Sequence, residues 1–322
     1  MVIHMRMYVY SMREFDELPF FEQYCSKNQV EWAYTKETPC MDNLEKAKGY
    51  DVVNIITTVI NKEMIDKWHK LGVKCIATRT IGFDHIDCAY AKEKGMGVIH
   101  ITYSPATVAD YTIMLMLMGC RKIQYIMQRA QIQDYTLQGK IGRELPGKIG
   151  KTVIKHLSGF GCKILAYDIY ESDEVRQYAQ YTDLDTIYRE CDIISLHAPA
   201  TDDNYHMINH EVMDKMKQGV ILINCARGSL VDTQALIDGI ESGKVGFAGL
   251  DVVEHESGLY YFNRMGEPLN NPQLAILRSY SNVVVTPHTA FYTQEAVSDM
   301  VENSIVCARA YINGEKTPYE VV

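Results

Sequence analysis

The sequence has no long apolar run. Its longest, Ile113 to Met118 with its neighbours, meets Arg121 well short of the roughly 20 residues a membrane-spanning helix needs. No apolar leader stands at the N-terminus, and a cytoplasmic protein is the expectation. Positive charge is also scarce: the net charge of −9 weighs against nucleic acid or an anionic membrane as partner. An anionic substrate would therefore be held by a few local cations. The nine cysteines form no CxxC pair and no metal-ligand spacing, and most sit in apolar runs, which predicts reduced core thiols. His206 and His210 stand four apart, but Asn209 between them reads as a helix cap, so no metal site is expected. The G-x-S-x-G, HExxH and G-x-x-x-x-G-K-[ST] patterns are all missing, as are solenoid repeats, low-complexity segments and flexible linkers.

What is present is a globular composition, 47% hydrophobic and 23% charged over 322 residues, enough for one large or two ordinary domains. Short apolar strands at 5–10, 30–34, 51–57, 74–78 and 97–101 alternate with helices ending near Lys27, at 44–48, at 61–71 and at 85–94. That alternation implies a parallel, helix-covered sheet. Ser104 and Pro105 then read as the N-cap and first residue of a long helix that is apolar nearly all round from Val108 to Cys120. Such a helix is expected to be enclosed, either between domains or against a second subunit, and its methionines favour a homodimer through helix 105–130. The alternation resumes with strands at 163–167, 192–196, 220–224, 245–250 and 282–286, and closes with a helix at about 293–311.

Between these halves, Gly147, Lys148, Ile149 and Gly150 give the second half of a dinucleotide fingerprint. A helix follows, ended by Gly159 and Gly161, then a strand that stops at Asp168. An acid about there accepts hydrogen bonds from an adenosine ribose, and the glycines admit a pyrophosphate to a helix N-terminus. The strand and first glycine that should precede Gly147 are missing; Gly139 to Pro146 carries glycine, charge and proline instead. A strand of about six residues plus the start of the turn gives a deficit of roughly nine. Either Gly139–Leu145 substitutes and cofactor binds weakly, or Pro146 and Gly147 are not neighbours.

The polar residues fall at strand ends: Asp168; His197 with Pro199; Cys225-Ala226-Arg227; Asp251 with Glu254 and Glu256; and His288. Open α/β sheets bind ligands at the carboxyl ends of their strands. An arginine, an acid and a histidine on successive ends, beside a nucleotide turn, point to one reaction centre.

The segments SLHAP, INCARGSLVD, GLDVVEHE and VVVTPHTAFYT, with ATRTIGFDHID and ITYSPATVADYT upstream, resemble the D-2-hydroxyacid dehydrogenase family, its D-lactate branch in particular and its aryl-lactate dehydrogenases about as closely. The spacings agree: Arg227 and Glu256 lie 29 residues apart, Glu256 and His288 32. The resemblance implies two doubly wound parallel-sheet domains. One is a flavodoxin-like substrate domain (1–101 and 290–322), the other a Rossmann NAD-binding domain (102–289). It implies that Arg227 clamps the carboxylate of a small 2-keto or 2-hydroxy acid, that His288 exchanges a proton with the substrate oxygen, and that Glu256 holds His288. Ile81, Gly82 and Tyr103 match substrate positions; Arg79 is a candidate second cation there, with a structural role the favoured alternative. Val108, Gly147, Lys148, Ile149, Gly150, Asp168, His197, Pro199, Cys225, Ala226 and Asp251 match positions along NAD. Two readings follow: an NAD-dependent dehydrogenase making D-2-hydroxy acids such as D-lactate, or an impaired dimeric homologue of the same fold.

Overall fold

The computed structural model describes residues 4–131, 138, 151–256, 258–260, 263 and 267–322. The Pro146–Gly147 junction and Gly147, Lys148, Ile149 and Gly150 therefore lie outside the described residues. The chain divides into two compact units, Met1–Ser104 with Tyr292–Val322, and Pro105–Phe291.

The first unit runs β1 (Arg6–Val9), α1 (Leu18–Lys27), β2 (Glu31–Tyr34), β3 (Val52–Ile55), α2 (Lys62–Lys70), β4 (Cys75–Thr78), α3 (Cys88–Glu93) and β5 (Gly97–Ile99). All five strands are parallel, in the order β2-β1-β3-β4-β5. The inner strands are buried on both faces, which is why they read as continuous apolar runs. Alternation along them makes two layers. Met7, Val9, Cys75 and Ala77 pack with Phe21 and Cys25 of α1 and with Val301 and Ile305 of the C-terminal helix. Tyr8, Tyr10, Val53 and Ile76 pack with Ile65 and Trp68 of α2. The helix expected from His85 begins only at Cys88, because Asp87 is its cap and accepts the Tyr90 N–H at 3.0 Å. The C-terminal helix, as expected, packs on this unit. The tail after it was not foreseen: Tyr319 to Val322 runs antiparallel along β5, exchanging backbone hydrogen bonds with Val98 and His100.

The second unit opens with α4 (Ala106–Cys120) and α5 (Ile123–Gln131). Pro105, not Ser104, occupies the N-cap position of α4, and no side chain caps it. The single helix expected over 105–130 is two helices, broken where Lys122 takes a left-handed φ of 51°. Nor is α4 enclosed on all sides. It buries Ala109, Leu115, Met116 and Cys120 and leaves Met114 and Leu117 41% and 36% exposed. Glycines allow its close approach to the sheet: a Cβ on Gly119 would come within 2.5 Å of Phe247, and one on Gly249 within 3.2 Å of Leu115.

There follow α6 (Lys151–Leu157), β6 (Leu165–Ala166), α7 (Asp173–Arg176), β7 (Gln180–Tyr181), α8 (Leu184–Glu190), β8 (Ile193–Leu196), α9 (His210–Lys215), β9 (Val220–Asn224), α10 (Thr233–Glu241), β10 (Val245–Leu250), α11 (Pro272–Ser279) and β11 (Val283–Val285). The C-terminal helix of the first unit is α12 (Gln294–Ile312), capped by Thr293. Strands β11-β10-β9-β8 form one parallel sheet, and β6 with β7 another. Among the described residues β6 pairs only with β7, and β8 only with β9.

Candidate functional site

Three strand ends of the second unit converge on one cluster. Strand β9 ends in Asn224, a buried polar residue after the apolar run VILI. Its side chain shapes the next turn: Oδ1 accepts the Ala226 N–H at 3.0 Å and Nδ2 donates to the Arg227 carbonyl at 2.8 Å. Arg227 leaves this turn half-buried, donating through one terminal nitrogen to the Ala226 carbonyl at 2.9 Å. Gly228 follows, and a Cβ there would lie 2.2 Å from the Val253 backbone, so the arginine turn abuts the loop after β10.

That loop starts at Asp251, which is fully buried. Its carboxylate accepts from Thr286 Oγ1 at 2.6 Å, from the Thr289 N–H at 2.9 Å and from the Ala290 N–H at 2.8 Å. The Asp251 carbonyl also accepts the His288 N–H at 2.8 Å. Asp251 thus fixes the turn on which His288 stands in a left-handed conformation, φ 53°. A non-glycine residue persists there only where its surroundings over-determine it. Five residues beyond Asp251, Glu256 accepts the Val253 N–H through Oε2 at 3.0 Å and takes His288 Nδ1 with Oε1 at 2.7 Å. The sequence reading assigned Asp251 only to the cofactor; a buried acid at a strand end was the available signal for its work on the His288 turn.

The remaining expected residues divide by unit. Asp168 follows β6, exposed, with Oδ1 accepting the Tyr170 N–H at 2.9 Å. Beside it Ile169 and Tyr170 lie open to solvent. His197 and Pro199 follow β8, with His197 Nε2 and Ser195 Oγ 2.9 Å apart and the Pro199 carbonyl accepting from Asn204. Cys225 and Ala226 are half-buried, and burial pushes the Cys225 thiol up to about 12, so it stays neutral. Val108 is half-buried in the first turn of α4.

Ile81, Gly82 and Tyr103 belong to the first unit, on the loops after β4 and β5. Thr80 Oγ1 holds the Gly82 carbonyl at 2.6 Å, and Ile81 is 43% exposed. Arg79 is no second substrate cation. Its side chain is fully buried, paired to Glu17 at 3.0 Å and donating to Asn54 and to the Tyr10 and Ser11 carbonyls, so its charge is spent on joining β4 to the loop before α1. His206 and His210 do not share a ligand: the first meets Glu254 and the second Asp238.

These residues suit a dinucleotide. The exposed acid after β6 has no lysine or arginine among the three residues that follow it, as a ribose bearing two hydroxyls requires, and the exposed Ile169 offers an apolar face to an adenine ring.

Comparison with known proteins agrees with this geometry. Residues 113–290 match the family described as D-isomer specific 2-hydroxyacid dehydrogenase, NAD binding domain. The aromatic 2-oxoacid reductase of Clostridium sporogenes is 42% identical, over 94% of this chain and 95% of that protein. The D-lactate dehydrogenase of Lactiplantibacillus plantarum is 33% identical, over 98% and 99%. The crystal structure of a D-lactate dehydrogenase from Treponema pallidum superposes with a TM-score of 0.90 at 29% identity, covering 99% of this chain and 100% of that one. The chain belongs to the D-isomer specific 2-hydroxyacid dehydrogenases, NAD-dependent oxidoreductases that reduce 2-keto acids to D-2-hydroxy acids.

Proposed function

We propose that Arg227, Glu256 and His288 carry the reduction of a 2-keto acid with a bulky apolar side chain. The observation that carries this reading is the 2.7 Å pair of His288 Nδ1 and Glu256 beside the arginine turn. Bound NADH supplies the hydride that reaches the keto carbon. Arg227 takes the substrate carboxylate in a planar two-pronged grip and sets the orientation of the keto group. As negative charge grows on the keto oxygen, His288 delivers a proton to it from Nε2, and Glu256 stabilises the imidazolium that must precede this transfer. Water then restores the proton to His288. In the oxidising direction the same imidazole removes the hydroxyl proton. Ile81, Gly82 and Tyr103 are assigned to the substrate on the family resemblance. His197, Pro199, Cys225, Ala226 and Val108 are assigned to the cofactor on the same ground, and Asp168 to its ribose.

The side-chain preference rests on the first unit. Phe15, Val59, Ile81 and Phe83 follow β1, β3 and β4 at their carboxyl ends and are exposed, Phe15 by 79% and Val59 by 64%. Apolar groups of that size left open at strand ends favour an apolar ligand. We expect NADH oxidation with both phenylpyruvate and pyruvate, a higher kcat/KM for phenylpyruvate, and a D-2-hydroxy acid as product. Asp168 repels a 2′-phosphate, so NADPH should serve poorly. A preference for pyruvate would overturn the side-chain reading, and NADPH equal to NADH would overturn the role of Asp168. A second reading, weak cofactor binding, follows from the sequence itself, which lacks the apolar strand and first glycine expected before Gly147. An NADH titration of the same protein reads it directly.

We further propose a homodimer formed through α4 and α5. The exposed Met114 and Leu117 open on an apolar groove of about 640 Å³ shared with Ile113, Met118, Ile123 and Phe160. A second copy of this helix pair offers the same adaptable methionine surface, and a two-fold axis makes one such face complete another. Light scattering should give twice the 36.7 kDa chain mass, and Met114→Glu with Leu117→Glu should give the monomer. A monomeric parent protein would overturn the proposal.

A further inference from the structure

A second acid–imidazole pair lies close behind the first. His206 Nε2 and Glu254 Oε1 are 2.7 Å apart, on a carboxylate whose side chain is only 11% exposed. The other oxygen of Glu254 accepts from the Thr233 N–H at 3.0 Å and from Thr233 Oγ1 at 2.6 Å. Its carbonyl accepts from Asn271 Nδ2 at 3.1 Å. Burial pushes the Glu254 carboxyl upward, but the hydrogen bonds from His206 and Thr233 outweigh it and hold the group below the ordinary carboxylate range. His206 itself sits in the left-handed region, φ 51°, with its N–H on the Ser229 carbonyl at 2.9 Å and its ring stacked on Tyr205 at 3.9 Å. The charged groups facing it are Glu254 and, at 3.8 Å, Asp232.

These contacts have a common consequence. The loop after β8 carries His206. The segment after β9 carries Arg227 and supplies Ser229, Asp232 and Thr233. The loop after β10 carries Glu254, two residues before Glu256. One imidazole and one carboxylate therefore tie three strand-end loops together, and neither is among the groups assigned to the reacting atoms. An exposed ion pair contributes only about 0–1 kcal/mol; this one is largely buried, gathers further donors and holds a strained backbone.

We propose that His206 and Glu254 are positioning residues that clamp the 253–256 turn, so that Glu256 keeps its hold on Nδ1 of His288 while Arg227 keeps its place opposite. This rests on the reading in which His288 is the acid. With the clamp loosened, the Glu256 carboxylate no longer supports the imidazolium, and the proton reaches the keto oxygen less readily.

The test is His206→Leu, which removes the nitrogen, beside His206→Gln, whose amide can still donate to Glu254. For His206→Leu we expect kcat to fall by about 10- to 100-fold, the scale of a small misplacement of a catalytic group. NADH affinity should be unchanged. The alkaline limb of kcat/KM for reduction should move to lower pH, because the protonated histidine is less supported. His206→Gln should restore most of the rate and return the limb. Loss of active molecules alone would leave the limb in place. A His206→Leu enzyme with parental kcat and profile overturns the proposal, as does a lower rate with an unmoved limb. If that variant does not fold, Glu254→Gln gives the same comparison. His288→Ala in parallel keeps the two readings apart: if it turns over normally the acid is misassigned, whereas an inactive His288→Ala beside an unaffected His206→Leu removes only the clamp.

Discussion

His288→Ala should lose about 10²–10⁴-fold in kcat for keto-acid reduction, the usual contribution of a positioned general acid, while binding NADH as the parent does. The size follows from chemistry, and its confinement to kcat follows from structure. His288 owes its place to its neighbours: its N–H bonds to the Asp251 carbonyl, and the Asp251 carboxylate holds Thr286, Thr289 and Ala290 on either side. Removing the imidazole leaves that frame intact, so the turn, the fold and the cofactor site should survive. Glu256 would then lose its partner at the end of a loop that already tolerates partial exposure. Steady-state NADH oxidation at saturating phenylpyruvate, with a fluorescence titration of NADH, checks both halves. Near-parental turnover would show that another group delivers the proton.

The sequence read this centre well because strand ends advertise themselves. Val220–Asn224 and Val245–Leu250 were legible to the residue, since parallel strands buried on both faces are unbroken apolar runs that stop at a polar group. Three expected caps hold, Asn61, Asn209 and Asp232, each accepting a backbone N–H at the start of its helix, whereas Ser104 does not cap α4. What escaped notice was short or non-local. Strand β7 has two residues and α7 four, too few for any periodicity to register. The Tyr319–Val322 ladder depends on an open β5 edge more than two hundred residues away in sequence. Arg79 reads as structural ahead of a substrate cation, but its partner Glu17 could not be foreseen, because no spacing rule links residues 17 and 79. The partner of His206, Glu254, is 48 positions off. Pairings that cross loops are set by packing, and one sequence does not display them.

Arg227→Ala should raise the KM for keto acid far more than it lowers kcat. Each charge-assisted hydrogen bond to a carboxylate contributes about 1.5–3 kcal/mol. Losing a two-pronged grip should therefore cost about 10²–10⁴-fold in kcat/KM, at one factor of ten per 1.4 kcal/mol. The turn should not collapse, because Asn224 shapes it through the Ala226 N–H and the Arg227 carbonyl, both of which an alanine retains. Gly228 gives a second safeguard, since its backbone is pressed against Val253 whatever side chain precedes it. Arg227→Lys separates charge from shape. A lysine keeps the cation but cannot present two parallel donors, so it should recover only part of the loss. If the arginine also orients the keto group toward His288, the lysine enzyme should recover KM more fully than kcat. The informative measurement is the full dependence of rate on phenylpyruvate concentration for parent, lysine and alanine enzymes at one fixed, saturating NADH. An unchanged KM in Arg227→Ala would mean that the substrate carboxylate is held elsewhere, and with Arg79 buried against Glu17 that cation would have to be sought among other residues.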